Sequence, residues 1–265
     1  MGLDATVRCG CWEKGTTSAC PVPRDAVKLD EDDQLVLNLS WEHNQDAYAR
    51  FEDWLEECCP HPQMTLAHQR ISTWSGIRKL QHALSVLGET RCPTLLAELP
   101  GVNGGRTSPE AAARCLKELD AFEQIAKLGD AVKLVDEDTG WAIYDHIEVY
   151  DGVFAWLGAE GIEIGIDTAG FFVRAEDGTE LFRAEAFEQV QSDGMFTYRD
   201  RASQRTYTCR HGISYPHRTR DAWVYPRQLV VKTVHDTAQN YAHELAALRA
   251  VFEASVASGR PVVWC

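Results

Sequence analysis

The chain has 265 residues, 45% of them hydrophobic and 25% charged, which is the balance of a folded globular protein and excludes a disordered one. Forty Asp and Glu against 26 Lys and Arg give a formal charge of -14, a sign that repels phosphate backbones and speaks against nucleic acid as a partner. No apolar run reaches the ~18 residues of a membrane span, and residues 1–10 carry Asp4 and Arg8 with no apolar h-region, so a cytoplasmic chain is expected.

Residues 4–11 read as a short strand and 34–39 as another, joined by a loop holding Pro21, Pro23 and the acidic stretch 30–33. Ala47, Phe51, Trp54, Leu55 and Cys58 recur at spacings of three and four, which predicts an amphipathic helix over 42–57 that stops before Pro60. Ile71, Trp74, Ile77, Leu80, Leu84 and Leu87 predict a second helix over 65–88, weakened in its middle by Gly76. After a flexible stretch at 100–105, Ser108-Pro109-Glu110 is a helix start: serine can accept from a free backbone N–H, and proline gives up no bond in the first turn. That third helix is expected to reach about residue 128.

Beyond Gly129 the period changes to alternation, punctuated by Thr139-Gly140, Asp151-Gly152, Asp177-Gly178 and Asp193-Gly194. An antiparallel meander follows from it. Tyr241, Leu245, Leu248, Phe252 and Val256 mark a last helix over 237–258, ended by Gly259, and residues 261–265 form a terminal strand expected to join the meander. The fold class is therefore α+β, with a helical N-terminal half and an antiparallel β-meander carrying a C-terminal helix. The expected organisation is a mainly helical region 1–129 and a sheet region 130–265, as two domains or one continuous domain.

Chemistry concentrates in two places. Cys9-Gly10-Cys11 is answered some fifty residues later by Cys58-Cys59-Pro60-His61, and four ligands drawn from thiolate and imidazole suit a tetrahedral zinc. Cys9, Cys11, Cys59 and His61 are the expected set, with Cys58 or Cys20 able to replace one member. Nine cysteines is an odd number with no secretory signal before them, so free thiols are expected, with Cys92, Cys115 and Cys209 as small buried residues. The second place is the segment 199–227, where Arg199, Arg201, Arg205, Arg210, Arg218, Arg220 and Arg227 accompany Cys209, His211 and His217 among tyrosines and Trp223. Guanidinium forks and aromatic faces make Arg199, Arg201, Arg210, His211, His217, Arg218 and Arg220 the expected ligand-binding set, for phosphate, carboxylate or an acidic partner.

Other patterns read as structure. Asp136-Glu137-Asp138-Thr139-Gly140 resembles half a calcium loop but sits where a hairpin turn belongs. His243-Glu244 lacks a histidine at position 247, which excludes a zincin helix. Of the eight tryptophans, spacing places Trp54, Trp74 and Trp156 in cores, while Trp12 and Trp41 flank the cysteine cluster. There is no G-x-S-x-G elbow, Walker loop or G-x-G-x-x-G fingerprint. Two functions remain: a binding protein, inhibitory or immunity-like, that neutralises a basic protein partner and carries a structural zinc, or a metal-assisted hydrolase with a Cys/His zinc centre.

Overall fold

Leu3, Ala5 and Val7 are fully buried and alternate with Asp4 and Thr6, a period of two that makes Gly2–Arg8 a strand, β1. The computed structural model describes residues 2–88, 90–215 and 223–265. At Cys9-Gly10 the chain turns into a one-turn helix, α1 (Cys11–Lys14), so the opening strand ends at Arg8 and not at Cys11. Strands β2 (Val27–Leu29) and β3 (Leu35–Leu37) form a small hairpin, and α2 (Gln45–Glu57) is the helix expected there, with Phe51 and Trp54 buried.

The next segment departs from the sequence expectation. Residues 65–88 are not one helix: Thr65–Thr73 is strand β4, and only Trp74–Val86 is helical, as α3. The Thr73 hydroxyl caps α3 by accepting from the Gly76 N–H at 3.1 Å, so a β-branched residue ends the strand and starts the helix. A short helix α4 (Pro93–Glu98) and strand β5 (Arg106–Thr107) precede α5 (Pro109–Glu123). Ser108 caps α5 through the Ala111 N–H at 3.2 Å.

Among the described residues ten strands follow: β6 (Gly129–Asp136), β7 (Ala142–Asp145), β8 (Val153–Leu157), β9 (Ile162–Asp167), β10 (Gly170–Ala175), β11 (Glu180–Ala184), β12 (Ala186–Ser192), β13 (Met195–Asp200), β14 (Thr206–Cys209) and β15 (Gln228–Asp236). The chain closes with α6 (Ala242–Ser258) and β16 (Val262–Trp264). It divides into two compact units, Met1–Leu128 with Thr237–Cys265, and Gly129–Asp236.

The first unit is an antiparallel sheet in the order β4-β1-β16-β5, packed with helices. Here α6 and β16 differ from expectation: they belong to this unit and not to the meander. Leu245, Leu248, Val251 and Phe252 of α6 lie in one core with Leu3, Ala5, Ile71, Cys115 and Leu119. The cause is β4. Because the first half supplies a sheet, and not only helices, it offers α6 an apolar face, and each large side chain buried there contributes about 1.5–3 kcal/mol. Ala247, where a zincin would have its second histidine, is buried in the same core.

The second unit holds a four-stranded meander, β11-β10-β9-β8, and a six-stranded sheet, β14-β13-β12-β15-β6-β7, in which β15 inserts between β12 and β6. Phe171, Phe187 and Tyr198 centre its core; the Phe171 and Phe187 rings stack at 4.3 Å. At Asp193-Gly194 both residues have positive φ, 53° and 75°, the signature of a two-residue type I′ hairpin. Trp156 is not in this core. It lies on β8, an edge strand, and remains 67% exposed.

One buried charge is held between β6, β7 and β15. Lys133 is 4% exposed, with its Nζ 3.0 Å from Asp236 Oδ1 and 3.2 Å from Asp145 Oδ1. Burial opposes its ionisation, but the two carboxylates outweigh that and raise its pKa. Lys133→Ala would leave two partly buried carboxylates without their shared cation. It is expected to cost about 3–5 kcal/mol in urea unfolding.

Candidate metal centre

The register of the first sheet brings the two cysteine arms together. Arg8, the last residue of β1, pairs with Thr65, the first of β4, so the residues just after β1 face those just before β4. Cys9 N–H donates to Met64 O at 2.7 Å and fixes that approach. On the second arm, α2 ends at Glu57 with Cys58 as its C-cap, and Cys59-Pro60-His61 leads into a 3-10 turn at Pro62–Met64.

Cys9, Cys11, Cys59 and His61 form a group whose ligand atoms all lie within 4.8 Å of one another, and the group could hold a metal ion. Its spacings can be compared with an ideal site. A tetrahedron with ~2.3 Å metal–sulfur and ~2.05 Å metal–nitrogen bonds has S···S edges of ~3.8 Å and S···N edges of ~3.5 Å. The observed separations are 3.7 Å for Cys9 Sγ to Cys59 Sγ, 3.5 Å for Cys11 Sγ to His61 Nδ1 and 3.8 Å for Cys59 Sγ to His61 Nδ1. Cys58 is a neighbour outside the group: it is buried, and its thiol points back to Leu55 O.

Burial pushes the Cys9 thiol up to about 12, and the Cys58 thiol likewise. Slight burial opposes ionisation of Cys11, but hydrogen bonds involving Thr16, Cys9 and Cys59, together with the Lys14 charge, outweigh it and lower its pKa.

A small apolar cluster supports the centre. Phe51, Trp54 and Cys58 from α2 pack with Val22, Leu35, Leu37, Met64 and Cys9. The ring of Trp12 meets Trp54 edge-on at 5.7 Å, and Arg24 lies 4.5 Å over Trp12. Trp12 is therefore a packing residue, whereas Trp41 is 54% exposed and leans on Tyr48. Beside the cluster runs an ionic network that composition alone did not indicate. Arg8 is buried, donates to Glu13 Oε1 at 2.6 Å and to the Asp33 backbone carbonyl at 2.7 Å, and pairs with the Asp33 carboxylate at 3.4 Å, which Arg260 also reaches. Desolvation opposes ionisation of Glu13, but Arg8 and Arg260 hold its carboxyl below the usual range.

The arginine-rich segment is spread over β13, β14 and the stretches after them. Arg199 and Arg201 are exposed and paired, Arg199 with Glu188 at 3.7 Å and Arg201 with Glu137. Arg210 is exposed. His211 faces inward: its Nε2 is buried with no hydrogen-bond partner among the described residues, burial lowers its pKa, and its carbonyl accepts from Tyr198 Oη at 2.5 Å. Cys209 is buried, as are Cys92 and Cys115, and among the described residues Cys209 and His211 belong to no second metal-sized group. His217, Arg218 and Arg220 lie outside the described residues. Both approaches to them are pinned by Gln189, whose side chain bonds Ile213 N, Ile213 O and Pro226 O.

No family model, curated protein or solved structure matches this chain. Its functional reading rests on its own residues.

The acidic run at 136–140 is a turn. Asp136 accepts from the Asp138 N–H at 3.0 Å and the Thr139 hydroxyl at 2.7 Å, and Tyr215 Oη donates to the same carboxylate. Burial opposes ionisation, but these bonds outweigh it and hold the Asp136 pKa below the ordinary carboxylate value. A carboxyl depressed on folding stabilises above its unfolded pKa of ~3.9, and that contribution is lost as pH falls through the folded value. Asp136→Asn is therefore expected to cost about 1–3 kcal/mol at pH 7. It should also flatten the fall in stability below about pH 4, as read by urea unfolding at neutral and acid pH.

Proposed function

We propose that Cys9, Cys11, Cys59 and His61 hold a structural zinc, and that the chain is a non-catalytic binding protein for a basic protein partner, inhibitory or immunity-like in its action. The agreement of three of the six ligand spacings with the edges of a zinc tetrahedron, with all six inside 4.8 Å, supports the first part. Mixed thiolate and imidazole ligands in that geometry favour zinc over harder cations. Four protein ligands complete the tetrahedron and leave no position for a reactive water, which supports a structural site over the metal-assisted hydrolase.

The partner reading rests on charge. Helix α2 exposes Asp46, Glu52, Asp53, Glu56 and Glu57, with Arg50 the single cation on the helix. None of those five carboxylates has an ion-pair partner among the described residues. Beside them a shallow depression of about 510 Å³ is lined by Ser18, Pro21, Arg50, Asp53, Trp54 and Glu57. The clasp fixes the end of this helix, so metal and partner surface share one element. An acidic face of this kind raises the encounter rate with a cationic protein more than it raises final affinity. Arg199, Arg201 and Arg210 form the other candidate surface, suited by charge to carboxylate or phosphate. A reducing, cytoplasmic setting agrees with free thiols as ligands.

Purified protein should contain about one zinc per chain by elemental analysis. Cys11→Ser should weaken zinc retention by more than about 100-fold, beyond what outer-shell changes usually cost, and lose the folded first unit with it. A metal-free protein with unchanged folding would end the structural-zinc reading. For the partner surface, Asp53→Lys with Glu57→Lys should abolish binding of a lysine-rich test peptide at low salt while leaving zinc content unchanged. Equal binding by this variant in calorimetry would remove α2 as the site.

A further inference from the structure

The four ligands come from two arms of the chain, and which thiols face each other across the centre has a consequence for oxidation. Cys9 follows β1, Cys59 follows α2, and their Sγ atoms are 3.7 Å apart. Cys11 Sγ sits against His61 Nδ1, and the buried Cys58 thiol points to Leu55 O. A bond between the adjacent Cys58 and Cys59 would need their Cα atoms, ~3.8 Å apart across one peptide, to adopt a separation below the ~4.4–6.8 Å that disulfides use. A bond between Cys9 and Cys11 would lie within one arm and tie it to nothing.

We infer that Cys9 and Cys59 are a redox modification site, at which a hydroperoxide exchanges the metal clasp for a disulfide joining the same two arms. This rests on the zinc reading above. Cys59 is half-buried and Cys9 buried, so the peroxide reaches Cys59 first. The Cys59 thiolate attacks one peroxide oxygen, the O–O bond breaks, and the other oxygen leaves as hydroxide that is protonated to water, giving Cys59 sulfenic acid. The Cys9 thiolate then attacks the Cys59 sulfur, the S–S bond forms and the S–O bond breaks, and the second oxygen leaves as water after protonation. Two thiolates, one hydrogen peroxide and two protons become one disulfide and two waters. The peroxide is reduced by the two electrons the thiolates lose. Zinc loses two of its four ligands and departs as Zn²⁺.

Metal loss and unfolding are thereby separated. In a centre whose oxidisable pair lay within one arm, oxidation would release both the metal and the arms. Here the cross-link between the end of β1 and the end of α2 is kept, and with it the packing of Trp12 against Trp54.

The test uses the zinc-loaded full chain, hydrogen peroxide and a zinc-binding dye, followed by non-reducing peptide mapping. Expected are release of about one zinc per chain and a protein mass lower by about 2 Da. The map should show a Cys9–Cys59 peptide pair, near-ultraviolet circular dichroism should be retained, and dithiothreitol with added zinc should reverse the change. Peptides joined through Cys11–Cys59, Cys9–Cys11, Cys58–Cys59 or Cys20, or zinc release with loss of the aromatic signal, would overturn the inference. Cys58→Ser should behave as the unsubstituted chain does. Oxidised Cys59→Ser should lose the aromatic signal; should that variant fail to fold, the Cys58→Ser map decides. A protein purified without zinc would defeat the structural-zinc reading alone, and mapping of the oxidised metal-free chain would still show whether Cys9 and Cys59 pair.

Discussion

Strand β1 is the constraint on which the first unit depends. It has a partner on each side, β4 and β16, and those partners come from the middle and the end of the sequence. Seven residues thus tie together segments distant in sequence, residues 65–73 and 262–264, and their buried side chains, Leu3, Ala5 and Val7, give α3 and α6 a surface to pack on. The same pairing decides where chemistry can occur. With Arg8 opposite Thr65, the turn after β1 and the turn before β4 must meet, and the residue types at those turns are cysteine and histidine.

Buried charges reinforce this geometry without adding much net stability of their own. Arg8 is held by Glu13 and Asp33, and Arg260 converges on Asp33 from the other end of the chain. Each such ion has lost its hydration, so the network favours the one arrangement in which every member is paired. Lys133 has the equivalent position in the second unit. Its carboxylates come from β7 and β15, on either side of β6, so the cation fixes the order of three neighbouring strands.

Local signals were legible in the sequence; contacts between distant segments were not. Ser108 caps a helix and Asp193-Gly194 turns a hairpin because each device acts over a few residues. The helix over α2 was legible for the same reason, through the spacing of Phe51 and Trp54. Strand β4 is hidden because Ile71, Trp74 and Ile77 keep a helical spacing across a strand–helix junction, and nothing local reveals that Thr65–Thr73 has β1 to pair with. Nor does anything local tie β16 to β1, so proximity in sequence groups α6 and β16 with the meander. The members of the candidate metal group are legible because they occur as two close pairs, but the choice of Cys59 over Cys58 depends on how the chain leaves α2, which spacing does not encode. Charge counting picked out the arginine segment yet could not show that Arg199 and Arg201 already have carboxylate partners, or that His211 turns inward.

Gly129 and Asp236, the first and last residues of the second unit, are direct cross-strand partners in β6 and β15. Such partners have Cα atoms only about 5 Å apart. The 108 positions numbered 129–236 therefore begin and end side by side, so the second unit closes on its own first and last residues.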